Sequence, residues 1–411
     1  LLSMLWMNFL HIYQPPGQDP AIIRKITNES YRPVLNFLIG HPQIKITLNI
    51  CGSLTEQLFQ YNLTDVLDKI KVLAERKQIE LVGSAKYHPI LPLIPAEEII
   101  RQIRLNQETN RKFFGSIYQP NGFYFPEMAY SREVAKMIKA LGFKWIILDE
   151  ISYSADNSQP LNFAKFYQVE KVGLGVVFRS RKISDAFINP AVKTKDDFWK
   201  IVKNERRIKD VLITAFDGEN LGHHRPENIK FWPDLILQSS IQTETISGFI
   251  QNSSEGGQIK ICSSSWASNE RDLAQGIPYL LWRNPNNPFH YLQWKLIFLT
   301  YYLAKRYCLL KDKDVRQKID EMWHSCQFWW ASATPWWDLK FFEKKSKEIL
   351  SITQNKKQIP LDKRKQIKRI GEEIITLAHR WEESGQVRKI QQAYLANQPY
   401  QKYFGGEIYK L

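Results

Sequence analysis

Apolar positions in this chain fall in short unbroken runs rather than in alternation. MLWMNFL (4–10), IKITLNI (44–50), IELV (79–82), GFYF (122–125), WIILD (145–149), GLGVVF (173–178), VLITAF (211–216) and IKIC (259–262) follow one another. Continuous runs rich in β-branched residues suit strands covered on both faces. Helical patterns lie between several of them. Ile99, Ile100, Ile103 and Phe113 recur near helical spacing over 96–113, and 131–141 opens on Ser131 as an N-cap and stops before Gly142. Strand, helix, strand repetition predicts a parallel sheet. Eight runs predict a closed (β/α) barrel, with a doubly wound open sheet as the alternative. From about residue 290 the β signals stop. Segments 290–310, 313–330, 337–352, 361–383 and 386–397 are expected to be helices, punctuated by Pro335 and Pro360. The expected division is a barrel over 1–280 and a helical domain over 281–411. The opening LLSMLWMNFLH lacks a basic start and runs into His11 and Gln14, so it is expected to be a first strand rather than a leader.

In a parallel barrel, function gathers where the strands end. The ends predicted here carry His11, Tyr13 and Gln14; His88; Glu127; Asp149 and Glu150; Arg179 and Arg181; Asp217, Glu219, His223 and His224; and Trp266. Taken singly, each has a plain structural explanation: a cap, an ion pair, an Asp-Gly turn or a satisfied core histidine. Taken together, they would need a separate explanation at every strand.

Two carboxylates from different strands, set among His, Arg and aromatic residues, suit glycoside cleavage. One attacks the anomeric carbon and the other protonates the leaving oxygen, at a separation of ~5–5.5 Å in retaining enzymes. The acid needs a raised pKa, from burial or from the neighbouring nucleophile. The same residue types permit a second chemistry. His11, His88, His223, His224 and Asp217 could ligate a metal that activates water, as in carbohydrate deacetylases. No HExxH or comparable tight ligand pattern is present.

The chain resembles glycoside hydrolase family 57. HIYQPP is similar to the family's first motif, ELVGSAKYHPILPLIP to the second, GFYFPEMAYS to the third and ITAFDGENLGHHRP to the fourth, with SSSWAS near a later binding motif. The resemblance spans roughly residues 5–275, in order. It implies an incomplete (β/α)7-type barrel followed by a C-terminal helical bundle, and a retaining enzyme on α-linked glucan or maltooligosaccharide that needs no cofactor or metal. It implies Glu127 as nucleophile and Asp217 as general acid/base. His11, Gln14, His88, Arg179, Glu219, His223, His224 and Trp266 are expected to bind substrate. The third motif departs from the family's frequent Trp at Phe123 or Phe125, and the large insertions of branching enzymes are missing. Hydrolysis and glucanotransfer both stay open, as does a catalytically silent glucan-binding protein.

Composition changes this picture little. Of 411 residues, 44% are apolar and 24% charged, as in ordinary globular proteins. No apolar run reaches the about 18 residues of a membrane span, so no membrane partner is expected. Cys51, Cys262, Cys308 and Cys326 show no CxxC spacing, which suits reduced thiols in the cytoplasm. The net charge of +15 is partly concentrated in 344–369. Few aromatics interleave with those cations, so a solvated helical face is expected there rather than a nucleic-acid surface. Residues 326–338, CQFWWASATPWWD, hold Trp329, Trp330, Trp336 and Trp337. These either wedge the helical domain or stack on sugar, with Trp336 and Trp337 expected to project and bind substrate.

Overall fold

The computed structural model describes residues 4–334 and 336–396. The chain divides into two compact units, Leu1–Asn269 and Glu270–Leu411. Among the described residues the first contains ten strands: β1 (Met4–Ile12), β2 (Ile46–Ile50), β3 (Ile79–Val82), β4 (Gly122–Tyr124), β5 (Trp145–Asp149), β6 (Phe166–Val169), β7 (Gly175–Arg179), β8 (Val211–Asp217), β9 (Ile241–Thr243) and β10 (Glu255–Ile259). Seven of them form a parallel ring. β3, β2, β1 and β8 pair in that order, as do β4, β5 and β7. The two arcs meet at Gly83, whose N–H donates to Gly122 O at 2.9 Å and whose carbonyl accepts from Tyr124 N at 2.8 Å. The other seam, between β7 and β8, is thinner: Ser180 N donates to Ile213 O at 2.9 Å just past the end of β7. The architecture is an incomplete (β/α)7-type barrel followed by helices, not a doubly wound open sheet.

Seven of the eight apolar runs enter this ring. The eighth, IKIC, contributes only Ile259 to β10, which pairs with β6 outside the ring. β6 and β9 went unanticipated because they are short and half-buried: β6 alternates and runs antiparallel to β7, while β9 is the polar IQT beside β1.

Met7 and Phe9 of β1, Val82, Tyr124, Trp145, Ile147, Val177, Ile213 and Ala215 fill the ring interior with Ile246 and Phe249. Each fully buried large side chain contributes roughly 1.5–3 kcal/mol. The helix Ile246–Asn252 plugs the end where the strands begin. Ser247 N donates to Glu80 Oε2 at 3.0 Å, Ile246 N to Thr47 Oγ1 at 2.9 Å, and Trp145 Nε1 to Ser247 Oγ at 2.9 Å. The end where the strands finish carries the residues that sequence reasoning singled out.

The second unit is helical, with Pro288–Arg306, Lys313–Glu321, Cys326–Trp330, Leu339–Gln354, Leu361–Glu383 and Gln386–Ala396 as its main elements. The expected 313–330 helix is broken in two. Between the halves Gln327 Nε2 donates to Met322 O at 2.5 Å and His324 O at 3.2 Å, carbonyls that a continuous helix would have satisfied itself. Pro335 and residue 397, both expected at helix boundaries, lie outside the described residues. Trp336 and Trp337 do not project more than Trp329 and Trp330; all four are half-buried. Trp337 packs on Phe289 and Trp381, with Nε1 donating to Glu382 Oε1 at 2.9 Å, while Trp336 lies 4.9 Å from Trp329, ring to ring.

Ser131 caps the helix Arg132–Ala140, its side chain accepting from Val134 N at 3.3 Å. Ser131→Ala is expected to destabilise the protein by about 1 kcal/mol. Urea unfolding checks this, with a lower midpoint at unchanged slope.

Candidate active site

The open end of the ring is built from strand ends, and β4 shows how. Phe125 is extended, Pro126 offers no N–H to a ladder, and Glu127 then turns to φ 58°, ψ 18°. Met128 (φ 49°) and His88 (φ 56°) also have left-handed backbones. Each such non-glycine conformation costs of order 1–3 kcal/mol and persists only where the surroundings impose it. Here Trp266 imposes it: its N–H donates to Glu127 O at 3.1 Å and its indole Nε1 to Glu127 Oε2 at 2.7 Å. His88 Nδ1 lies 3.6 Å from Glu127 Oε1.

A column of rings lines the next sector. Tyr13 stacks on His88 with centroids 4.3 Å apart, His88 on His11 at 4.8 Å, and His11 lies 4.5 Å from Tyr124. His11 Nδ1 pairs with Asn49 Oδ1 at 2.7 Å, so in the donating tautomer its Nε2 is left as an acceptor. Burial lowers the His11 pKa to about 4. Tyr124 is fully buried, and its hydroxyl has no hydrogen-bond partner among the described residues.

Asp217 ends β8 directly beside His11 of β1. Its pKa is pushed well above the usual carboxylate range, first by burial and then by the charges of Glu219 and Glu127, with Arg179 pulling the other way. Glu219 is also raised by burial, but donors oppose the shift: Tyr31 Oη at 2.5 Å, Gln14 Nε2 at 3.2 Å and Tyr13 N at 3.4 Å. No such donor reaches the Asp217 carboxyl among the described residues. Of the two acids in Asp-Gly-Glu, Asp217 is therefore the one equipped to keep its proton.

Tyr31 comes from a π-helical turn, Thr27–Tyr31, inserted between two α-helices. The same turn brings Glu29 Oε2 to His223 Nδ1 at 2.6 Å. The His224 ring lies 4.8 Å from that of His223, tilted by 53°, and burial, with the charge of His223 second, lowers its pKa to about 4. Gly222 (φ 118°) permits this approach, since a Cβ there would collide with the Glu29 carbonyl.

The structure thus brings His11, Gln14, His88, Glu127, Asp217, Glu219 and Trp266 to one end of the ring, with His223 and His224 on the turn after Glu219. Arg179, expected against substrate, is 4% exposed, with its guanidinium taken up by Asp149, Asp185 and Ala215 O. Trp336 and Trp337 belong to the second unit. Among the described residues, no three His, Cys, Asp or Glu side chains converge as a metal site would require. Sequence reasoning overlooked Asn49, Glu29 and Tyr31. A lone amide inside the buried run IKITLNI was a usable signal for Asn49. Glu29 and Tyr31 carried none, because a π-turn has no pattern in a single sequence.

A family model described as glycosyl hydrolase family 57 matches residues 8–261. An "Alpha-amylase 1" of Dictyoglomus thermophilum is 26% identical over 227 residues, which is 55% of this chain and 31% of that protein. A "4-alpha-glucanotransferase" of Thermococcus litoralis is 29% identical over 215 residues, 52% of this chain and 32% of that protein. The matched part is thus a minor share of these relatives' length. The crystal structure of 4-alpha-glucanotransferase from Thermococcus litoralis superposes with a TM-score of 0.66 at 17% identity, covering 86% of this chain and 60% of that one. A GH57-type branching enzyme from Pyrococcus horikoshii gives 0.65 at 16% identity, covering 90% and 94%. Both share the fold.

Two pH effects of opposite sign follow. Asp217 binds its proton more tightly folded than unfolded, so its contribution is fully present below about pH 4 and is lost as pH rises. Asp217→Asn is therefore expected to raise the melting temperature at pH 7, with the gain vanishing near pH 4. His11 and His224 bind protons less tightly when folded, so stability falls as pH drops from 6.5 towards about 4. NMR titration should find both rings neutral at pH 5.5; a midpoint near 6.5 would contradict the burial argument.

Proposed function

The chain belongs to glycosyl hydrolase family 57, and from that premise we propose that it is a retaining enzyme on α-linked glucan, with Glu127 as nucleophile and Asp217 as general acid/base. The single observation carrying this reading is the contrast between the two carboxyls. Glu127 is oriented by the Trp266 indole N–H at 2.7 Å, while the Asp217 carboxyl has no such donor among the described residues and its pKa is pushed up, first by burial and then by the charges of Glu219 and Glu127.

In the first step a Glu127 oxygen attacks the anomeric carbon. The bond to the leaving oxygen breaks, and the Asp217 proton moves onto that oxygen. A glycosyl ester on Glu127 results. Forming it removes the Glu127 charge, so Asp217 loses part of what raised its pKa and stays ionised, free to accept a proton. It then takes a proton from water or a sugar hydroxyl, whose oxygen attacks the anomeric carbon and releases Glu127. Water gives hydrolysis; a sugar hydroxyl gives transfer. The named relatives, an amylase and a glucanotransferase, support α-glucan as the substrate class and represent both outcomes.

His11, His88, Glu219, Gln14, His223 and His224 supply polar contacts for sugar hydroxyls, and Trp266 and Tyr13 offer ring faces. Arg179 acts from beneath, through its buried ion pairs. The four free cysteines suit a reducing compartment such as the cytoplasm, and no helix among the described residues is long and apolar enough to cross a membrane.

Glu127→Gln is expected to lower turnover at least about a thousandfold on maltooligosaccharides while leaving the fold intact. Products resolved by length give the acceptor: longer chains show transfer, and exclusively shorter ones show hydrolysis. An unchanged ladder with wild-type protein, or loss of activity on chelation, would contradict the proposal.

A further inference from the structure

We infer that Asp149 is the positioning residue that fixes both catalytic carboxyls across the thin seam of the ring. The inference rests on the assignment of Glu127 and Asp217 above. Asp149 ends β5 and is wholly buried. Its Oδ2 accepts from Arg179 Nε at 2.6 Å, and its Oδ1 from Arg181 Nε at 2.8 Å and Ile151 N at 2.9 Å.

Two arms leave this hub. Arg179 Nη1 donates to Ala215 O at 2.9 Å, two residues before Asp217 on β8. Arg181 Nη2 donates to Trp266 O at 3.0 Å and its Nη1 to Ser268 O at 2.7 Å, and Trp266 in turn holds Glu127 through both N–H groups. The arms also touch each other, with the Arg179 guanidinium 5.5 Å from the Trp266 ring centre. Backbone pairing between β7 and β8 is sparse. Side chains take over there, and they end on the backbone that carries the reacting groups. Arginine suits the task because its planar fork binds a carboxylate and a carbonyl in fixed directions at once. A misplacement of about 1 Å at the reacting groups is worth about a hundredfold in rate.

Asp149→Asn keeps the shape and one acceptor oxygen but removes the charge that orders both guanidiniums. It is expected to lower kcat by about 30- to 100-fold with KM changed less than about threefold, because sugar contacts are not its target. Arg181→Lys, which cannot span Asp149 and both carbonyls, should show the same split and serves if Asp149→Asn does not fold. A cycle with Trp266→Phe separates positioning from general loosening. If Asp149 acts through Trp266, the effect of Trp266→Phe shrinks at least about threefold in the Asp149→Asn background. Effects that simply multiply would overturn the inference, as would folded Asp149→Asn and Arg181→Lys enzymes turning over at the wild-type rate. Glu127→Gln in the same assay keeps the two levels apart: if it remains active, the catalytic assignment fails; if it is dead while Asp149→Asn is normal, only the hub fails.

Discussion

Three carboxyls, Glu127, Asp217 and Glu219, are gathered at the end of the ring where the strands finish. Burial and mutual repulsion act on them together, and they cannot all be ionised without compensation. Glu219 has a tyrosine hydroxyl, an amide and a backbone N–H; Glu127 has the Trp266 indole. Asp217 has no comparable donor among the described residues, and burial first and the neighbouring charges next push its pKa well above the usual carboxylate range. Residues of like chemistry thus come to differ because the donors are unequally shared, and the proposed roles of nucleophile and proton donor rest on that difference.

Much of the surrounding structure serves that inequality. The helix Ile246–Asn252 occupies the far end of the ring, tied to the strand starts through Thr47 and Glu80. His88, Glu127 and Met128 hold left-handed backbones that the Trp266 loop and the ring column keep in place. A π-turn brings Tyr31 to Glu219 and Glu29 to His223, which leaves Asp217 without a donor of its own. The ring is thinnest between β7 and β8, where buried ion pairs around Asp149 stand in for a full ladder.

What the sequence disclosed follows from which constraints are local. Continuous apolar runs marked the seven ring strands because burial on both faces demands them. The placement of Glu127 and Asp217 at strand ends was legible because each follows such a run closely, and Ser131 because an N-cap is a one-residue signal. β6 and β9 escaped because three or four half-exposed residues carry no pattern above background. Arg179 sits at a strand end like His11 and Glu127, yet a buried Asp149 from another strand claims it. That pairing joins positions thirty residues apart and cannot be seen along the chain. The split of the 313–330 helix was hidden for the same reason, since the Gln327 amide that satisfies the broken turn looks like any helical glutamine.

The most direct test is to trap the ester. Incubation with a fluorinated α-glucosyl donor that forms the covalent intermediate faster than it turns over, followed by proteolysis and mass spectrometry, locates the attached sugar. The account predicts a single glycosylated peptide bearing the label on Glu127. A label on another side chain, or steady turnover of the ordinary substrate with inversion at the anomeric carbon and no adduct, would contradict it.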